Sequence, residues 1–280
     1  MVVVCAGMPK AGSAWYFNLV DTLLMASGGR GAHDVRRRLA QETLLKGRNC
    51  AIANLSPTSV QALVTLARQG ECFATKTHEP PSKALVQTLM DGRTKATYIY
   101  RDPRDAMISA LEYGVRLRSL GIKDEVFTPT RTLVSIAQAY VSNLTLVWEQ
   151  WRVMPSTHIL KYEDLVADPV AEVLKTAEVL GLDVGVETSK DVVNEVAQVV
   201  GGGNRDQGVL HFNKGKVGRY REIMTAAEQR FCLDVFGPWL ELMGYDTCMD
   251  ARADVPGVAL HLTALAIKER VPHPSPAMAP

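Results

Sequence analysis

The chain reads as an α/β protein: a mostly parallel central sheet flanked by helices in three layers. Three observations predict this. Short apolar runs alternate with stretches of helical periodicity along most of the sequence. The first apolar run, Val2-Val3-Val4-Cys5-Ala6, leads through a glycine-bearing loop directly into a helical stretch. At 280 residues, 47% apolar and 22% charged, the chain has the size and balance of a globular domain with a full core.

In chain order, residues 2–6 form a buried strand and residues 13–27 the first helix. Segment 28–57 is rich in Gly and Arg and gives no clear pattern. A helix over 58–69 precedes a strand over 71–76, and a helix over 83–91 precedes a strand over 95–100. Asp102 then serves as an N-cap and Pro103 as the first helical residue of a helix over 104–120, with Asp105 in its first turn, where a carboxylate suits the helix dipole. A long helix over 132–152 leads to a strand over 157–161, and helices follow over 170–181, 187–199 and 225–243. Residues 201–224 make a long glycine-bearing connection of the kind that carries function. The expected organisation is one domain over 1–255 with a partly disordered, Pro-rich tail over 256–280.

The formal net charge of +1 gives no global pull toward nucleic acid, so none is expected as a partner and any anion site must be local. The five cysteines contain no C-x-x-C pair and read as reduced thiols in a cytoplasmic protein. The N-terminal apolar run is too short for a signal peptide, and no stretch reaches the roughly 20 apolar residues of a membrane span.

Residues Gly7–Trp15, G-M-P-K-A-G-S-A-W, carry the most information. A strand, a glycine loop and a helix start together make an anion cradle, because backbone N–H groups and the helix dipole point at the same place. Gly7 and Gly12 keep the glycine spacing of a nucleoside-triphosphate P-loop, G-x-x-x-x-G-K-[ST], but Ser13 stands in the lysine position and the lysine has moved back to Lys10. Taken alone, the loop reads equally as a surface turn.

The P-K-x-G-[ST]-x-W form resembles the 5′-phosphosulfate loop of sulfotransferases that use 3′-phosphoadenosine 5′-phosphosulfate (PAPS), which have a P-loop-like fold. Four further segments match that family in the expected order. Tyr100-Arg101-Asp102-Pro103-Arg104-Asp105 with Ser109 is similar to its 3′-phosphate motif, implying that Arg101 and Ser109 hold that phosphate; read by itself, the segment is a well-capped helix. Lys76-Thr77-His78 resembles the family's catalytic Lys/His segment. Tyr162-Glu163-Asp164-Leu165 resembles the segment whose Tyr lines the adenosine pocket, although the same residues make a plain helix start. Phe212–Tyr220 resembles the late R-K-G-x-x-G-x-W lid over the 3′-phosphate; its plain reading is a basic loop. Here Asn213 stands in place of Arg and Tyr220 in place of Trp, with Lys216 and Arg219 as candidate substitutes for the missing charge.

The resemblance implies a PAPS-dependent sulfotransferase acting on a hydroxyl or amine of a small-molecule acceptor, with adenosine 3′,5′-bisphosphate as product and no metal required. The implied catalytic residues are His78 as general base, Lys10 and Lys76. The implied nucleotide-binding residues are Pro9, Lys10, Ala11, Gly12, Ser13, Ala14, Trp15, Arg101, Ser109, Tyr162, Asn213, Lys214 and Gly215. Periodicity leaves Trp15 equally a core residue of the first helix. Two alternatives stay open: a metal-dependent P-loop small-molecule kinase, against which the strand ending in Arg101 rather than Asp argues, and a non-catalytic nucleotide-binding module. The sequence leaves the oligomeric state open.

Overall fold

The computed structural model describes residues 1–41, 43–46, 50–123, 127–129, 132–201 and 215–248. In chain order the elements are β1 (Val2–Gly7), α1 (Ser13–Ala26), α2 (Ala32–Arg38), α3 (Pro57–Arg68), β2 (Phe73–Thr77), α4 (Lys83–Met90), β3 (Thr94–Tyr100), α5 (Pro103–Ser119), α6 (Leu133–Asn143), a π-helical turn (Leu144–Trp148), α7 (Glu149–Trp151), β4 (Thr157–Lys161), α8 (Tyr162–Ala167), α9 (Pro169–Leu180), α10 (Val186–Gly201), α11 (Tyr220–Ile223) and α12 (Ala226–Leu242). They fall into two compact units. The first holds Met1–Arg101 and Ser142–Gly215; the second holds Asp102–Val141 and the residues from Lys216 onward.

The first unit is built on a parallel sheet of order β2-β1-β3-β4. Every residue of β1 is buried, and the strand is paired on both sides, which is why it reads as an unbroken apolar run rather than an alternating one. Val4 pairs with Thr75 on one side and Ala96 on the other, and near the strand ends Ala6 pairs with Thr77 and Gly7 with Ile99. The register therefore brings the exits of β1, β2 and β3 to one edge, so the loop after Gly7, His78 and Arg101 all leave the sheet there. In open α/β sheets, ligands bind at this carboxyl edge.

Two segments differ from expectation. The long helix over 132–152 is interrupted by the π turn, which shifts the helical phase by one residue. Trp148 and Trp151 then both pack on the buried Tyr98 ring, at centroid distances of 5.5 and 6.1 Å. Segment 28–57 contains a helix that periodicity did not reveal, α2. Its N-terminus is capped from a distance by Asp21 of α1, whose carboxylate accepts from the Ala32 N–H at 3.0 Å.

The second unit contains α5, most of α6, α11 and α12. Asp102 caps α5 as expected, accepting from the Arg104 N–H at 2.9 Å, and the same carboxylate pairs with the buried Arg104 guanidinium at 2.7 Å. Thr225 and Glu228 form a reciprocal capping box on α12. Among the described residues, no helix is long and apolar enough to cross a membrane.

Candidate nucleotide site

The loop after β1 is shaped by backbone bonds and two left-handed residues. Met8 N–H donates to Ile99 O at 2.9 Å, tying the loop to β3, and Ala11 N–H donates back to Met8 O at 3.2 Å. Lys10 has φ 60° and Gly12 φ 79°. Gly7 is required by close approach: a Cβ there would lie 2.6 Å from the Ile99 side chain. Helix α1 starts at Ser13 with Gly12 as its cap, no capping side chain and no acidic residue in its first turn. An α-helix leaves its first N–H groups without intrahelical partners, and here no carboxylate of the first turn competes for them. Ala11 and Ser13 are buried, whereas Pro9, Lys10, Ala14 and Trp15 are half-buried at the rim.

Arg101 and Tyr162 form the wall beside this loop. The Arg101 guanidinium carbon lies 4.3 Å from the Tyr162 ring centroid, and its Nη1 donates to Lys10 O at 3.4 Å. Both residues are buried. A Cβ added to Gly12 would meet Cδ2 and Cε2 of the same ring at 2.6 Å. Trp15 stands edge-on to Tyr162, with centroids 6.4 Å apart.

At the exit of β2, Lys76 and His78 lie two residues apart and therefore project to the same side. His78 Nδ1 is 2.6 Å from the carbonyl oxygen of Gly7, and its Nε2 is 2.6 Å from Lys76 Nζ. A carbonyl oxygen only accepts, so Nδ1 carries the ring proton and the Nε2 lone pair faces the lysine. Burial pushes Lys76 down to about 8. The next residue is pinned as well, since Trp151 Nε1–H donates to Glu79 O at 3.0 Å.

In the second unit, Ser109 is buried on α5. Asp105, expected only to favour the helix dipole, also accepts from the backbone N–H groups of Gly218 and Tyr220, at 2.7 and 3.0 Å. It thereby fastens the late glycine segment to α5. Arg219 does not serve as a substitute charge: it is buried in a two-pronged pair with Glu112 at 2.5 and 3.0 Å. Tyr220 is also buried, with the guanidinium carbons of Arg104 and Arg221 at 3.9 and 4.7 Å from its ring centroid. Gly215 has φ 62°, and Lys216 is exposed. Asn213 and Lys214 lie outside the described residues.

Sequence reading missed the contact of Tyr162 with Gly12 and Arg101, and the Glu112 and Asp105 anchors. The Y-E-D-L segment signalled the tyrosine; nothing local signalled Glu112, whose partner is 107 positions away.

This strand-edge arrangement sets a glycine loop and an uncapped helix start beside an imidazole. The Sulfotransferase domain family matches residues 2–244, and the chain belongs to it. Among curated relatives, flavonol 4′-sulfotransferase of Flaveria chlorifolia is 27% identical over 46% of this chain and 42% of its own, and sulfotransferase 4A1 of Mus musculus is 26% identical over 52% of each. The chain thus spans about half the length of these first relatives. Sulfotransferase 1C2 of Oryctolagus cuniculus is 23% identical over 89% of this chain and 86% of its own. Solved structures share the fold: mouse sulfotransferase SULT7A1 complexed with PAP (TM-score 0.54, 17% identity, 86% of this chain and 84% of that one) and retinol dehydratase in a complex with retinol and PAP (TM-score 0.56, 16% identity, 86% and 81%).

Proposed function

We propose that the protein transfers the sulfuryl group of PAPS to a hydroxyl or amine of a small-molecule acceptor, leaving adenosine 3′,5′-bisphosphate, with no metal in the step. The observation that carries this reading is the double engagement of His78. Its Nδ1 is held by Gly7 O, the residue at which the anion loop begins, and its Nε2 lone pair faces a buried lysine. The imidazole is thereby tied to the loop itself.

The residues fit a doubly phosphorylated nucleotide. The uncapped, acid-free start of α1, the Cβ-free Gly12 and the cation Lys10 suit the 5′-phosphosulfate; Arg101 suits the 3′-phosphate; Trp15 and Tyr162 suit the adenosine. When bound, PAPS supplies an activated sulfuryl group whose bond to the 5′-phosphate is the one that breaks. His78 Nε2 takes the proton of the acceptor as the acceptor atom bonds to sulfur, and the Nδ1–H bond to Gly7 O supports the imidazolium that results. Lys76, released from Nε2 by the acceptor, and Lys10 face the negative charge that builds on the departing phosphate; pre-aimed cations of this kind contribute several kcal/mol, on the order of 3–4 for a single donor.

The test is titration of the purified chain with adenosine 3′,5′-bisphosphate and with Mg-ATP, followed by transfer from labelled PAPS to phenols, alcohols and amines with and without a chelator. Tight binding of the bisphosphate and chelator-insensitive transfer are expected. Preferential binding of ATP, or transfer abolished by the chelator, would overturn the proposal.

A further inference from the structure

We infer that Trp151 is a positioning residue for His78, holding the exit of β2 so that the imidazole keeps its bond to Gly7 O. The inference deepens the function proposed above and rests on His78 as the base. A residue just past a strand end is ordinarily free to move. Glu79 is exposed, yet its backbone is tied at both polar groups. Its N–H donates to Thr77 Oγ1 at 3.1 Å, and that hydroxyl donates in turn to Ile52 O at 3.2 Å. Its carbonyl accepts from Trp151 Nε1–H at 3.0 Å. Pro80 and Pro81 follow, each with φ fixed by its own ring. The chain is therefore anchored on both sides of His78, by the pairing of Thr77 with Ala6 before it and by the indole after it. The indole is a firm anchor, since it is fully buried and packs on the buried Tyr98 of β3. It follows directly on the π turn over Leu144–Trp148, an irregularity that recurs at functional sites. A base misplaced by about 1 Å can lose about 10²-fold in rate, so an anchor that touches no reactant can still set turnover.

Two tryptophans of one cluster separate positioning from packing. Trp151→Phe removes the donor and trims the ring on Tyr98, whereas Trp148→Phe trims the same cluster and leaves the Glu79 bond in place. The full chain is assayed with labelled PAPS and the best acceptor of the panel above, and titrated with adenosine 3′,5′-bisphosphate. Trp151→Phe should lower kcat about tenfold, with KM for PAPS and affinity for the bisphosphate changed by less than about twofold; Trp148→Phe should keep all three. The ring-nitrogen NMR resonances of His78, assigned by their absence from His78→Ala, give a readout apart from activity. With the imidazole neutral, wild type and Trp148→Phe should carry the proton on Nδ1 alone, and Trp151→Phe should show both tautomers. Replacing Trp151 by benzothienylalanine keeps the bicyclic shape but puts sulfur in place of the N–H; it should act as Trp151→Phe does, and it decides the matter if the phenylalanine variant does not fold. Full kcat or an unchanged tautomer in the sulfur isostere overturns the inference, as does a loss of nucleotide affinity that matches the loss of kcat. Full turnover in His78→Ala removes the base itself and this inference with it, whereas the other results leave that assignment standing.

Discussion

Lys76 Nζ and His78 Nε2 meet at 2.6 Å, two positions apart at the exit of one strand. The two-residue period of a β-strand puts them on one side, and the carbonyl of Gly7 selects the ring tautomer that turns a lone pair toward the lysine. Lysine and imidazole are thereby held together beside the residue from which the β1–α1 loop leaves.

Removing the imidazole should separate chemistry from binding. His78→Ala is expected to lower turnover by about 10²–10⁴-fold while the dissociation constant of adenosine 3′,5′-bisphosphate changes little. Single-turnover assays beside calorimetry check this, and undiminished turnover would remove His78 as the base.

Lys76 should set an alkaline limit. Burial lowers its pKa to about 8, so the free protein carries the ammonium below that pH and loses it above. Anion binding favours the ammonium, so kcat/KM for PAPS should fall as pH rises through about 8, by up to about tenfold per pH unit. In Lys76→Arg, which stays charged, the limb should vanish. A limb that persists there at the same pH would assign it to another group.

Gly12 and Gly28 provide a matched pair. Both have positive φ, 79° and 85°, but a Cβ on Gly28 meets nothing within 4 Å, whereas one on Gly12 meets the Tyr162 ring at 2.6 Å. Gly28→Ala should cost about 1 kcal/mol from backbone strain alone. Gly12→Ala should cost at least about 2 kcal/mol and weaken nucleotide binding as the ring shifts. Urea melts of both variants test it; equal losses would show that the ring yields freely.

In the Arg219–Glu112 pair the guanidinium is buried and the carboxylate is largely shielded. Arg219→Ala should destabilise the protein by about 2–4 kcal/mol, because it strands a largely shielded carboxylate, whereas Arg219→Met combined with Glu112→Leu should recover most of that loss. If the single variant melts like wild type, the pair is not closed in solution.

Asp21 gives stability a pH dependence. Burial raises its carboxyl from 3.8 to about 6. Between those values the folded state holds more protons than the unfolded state, so this group makes stability fall as pH rises, with a full cost of about 3 kcal/mol above pH 6. Asp21→Asn still offers an oxygen to the Ala32 N–H and should therefore gain on wild type between pH 4 and 6. Melting curves that stay parallel across that range would refute the assignment.

Sequence alone determined the features that are written locally. The runs placed the four strands within about two residues at each end; in β1 and β2, where every residue is buried, burial on both faces leaves a continuous signature, whereas β4 is mostly half-buried. The cap at Asp102-Pro103 and the glycine loop into α1 were legible for the same reason: each is a backbone requirement met by neighbouring residues. Only the tertiary structure decided which partners those residues take. It put Tyr162 against Gly12 and Arg101, gave Asp105 two backbone donors from the late glycine segment, committed Arg219 to Glu112 and interrupted the long helix so that Trp148 and Trp151 both reach Tyr98. The physical reason is distance along the chain. Periodicity and capping report a residue's preference for a conformation or for burial, but the contact that satisfies a buried charge or ring is made across dozens of positions, and only packing selects it.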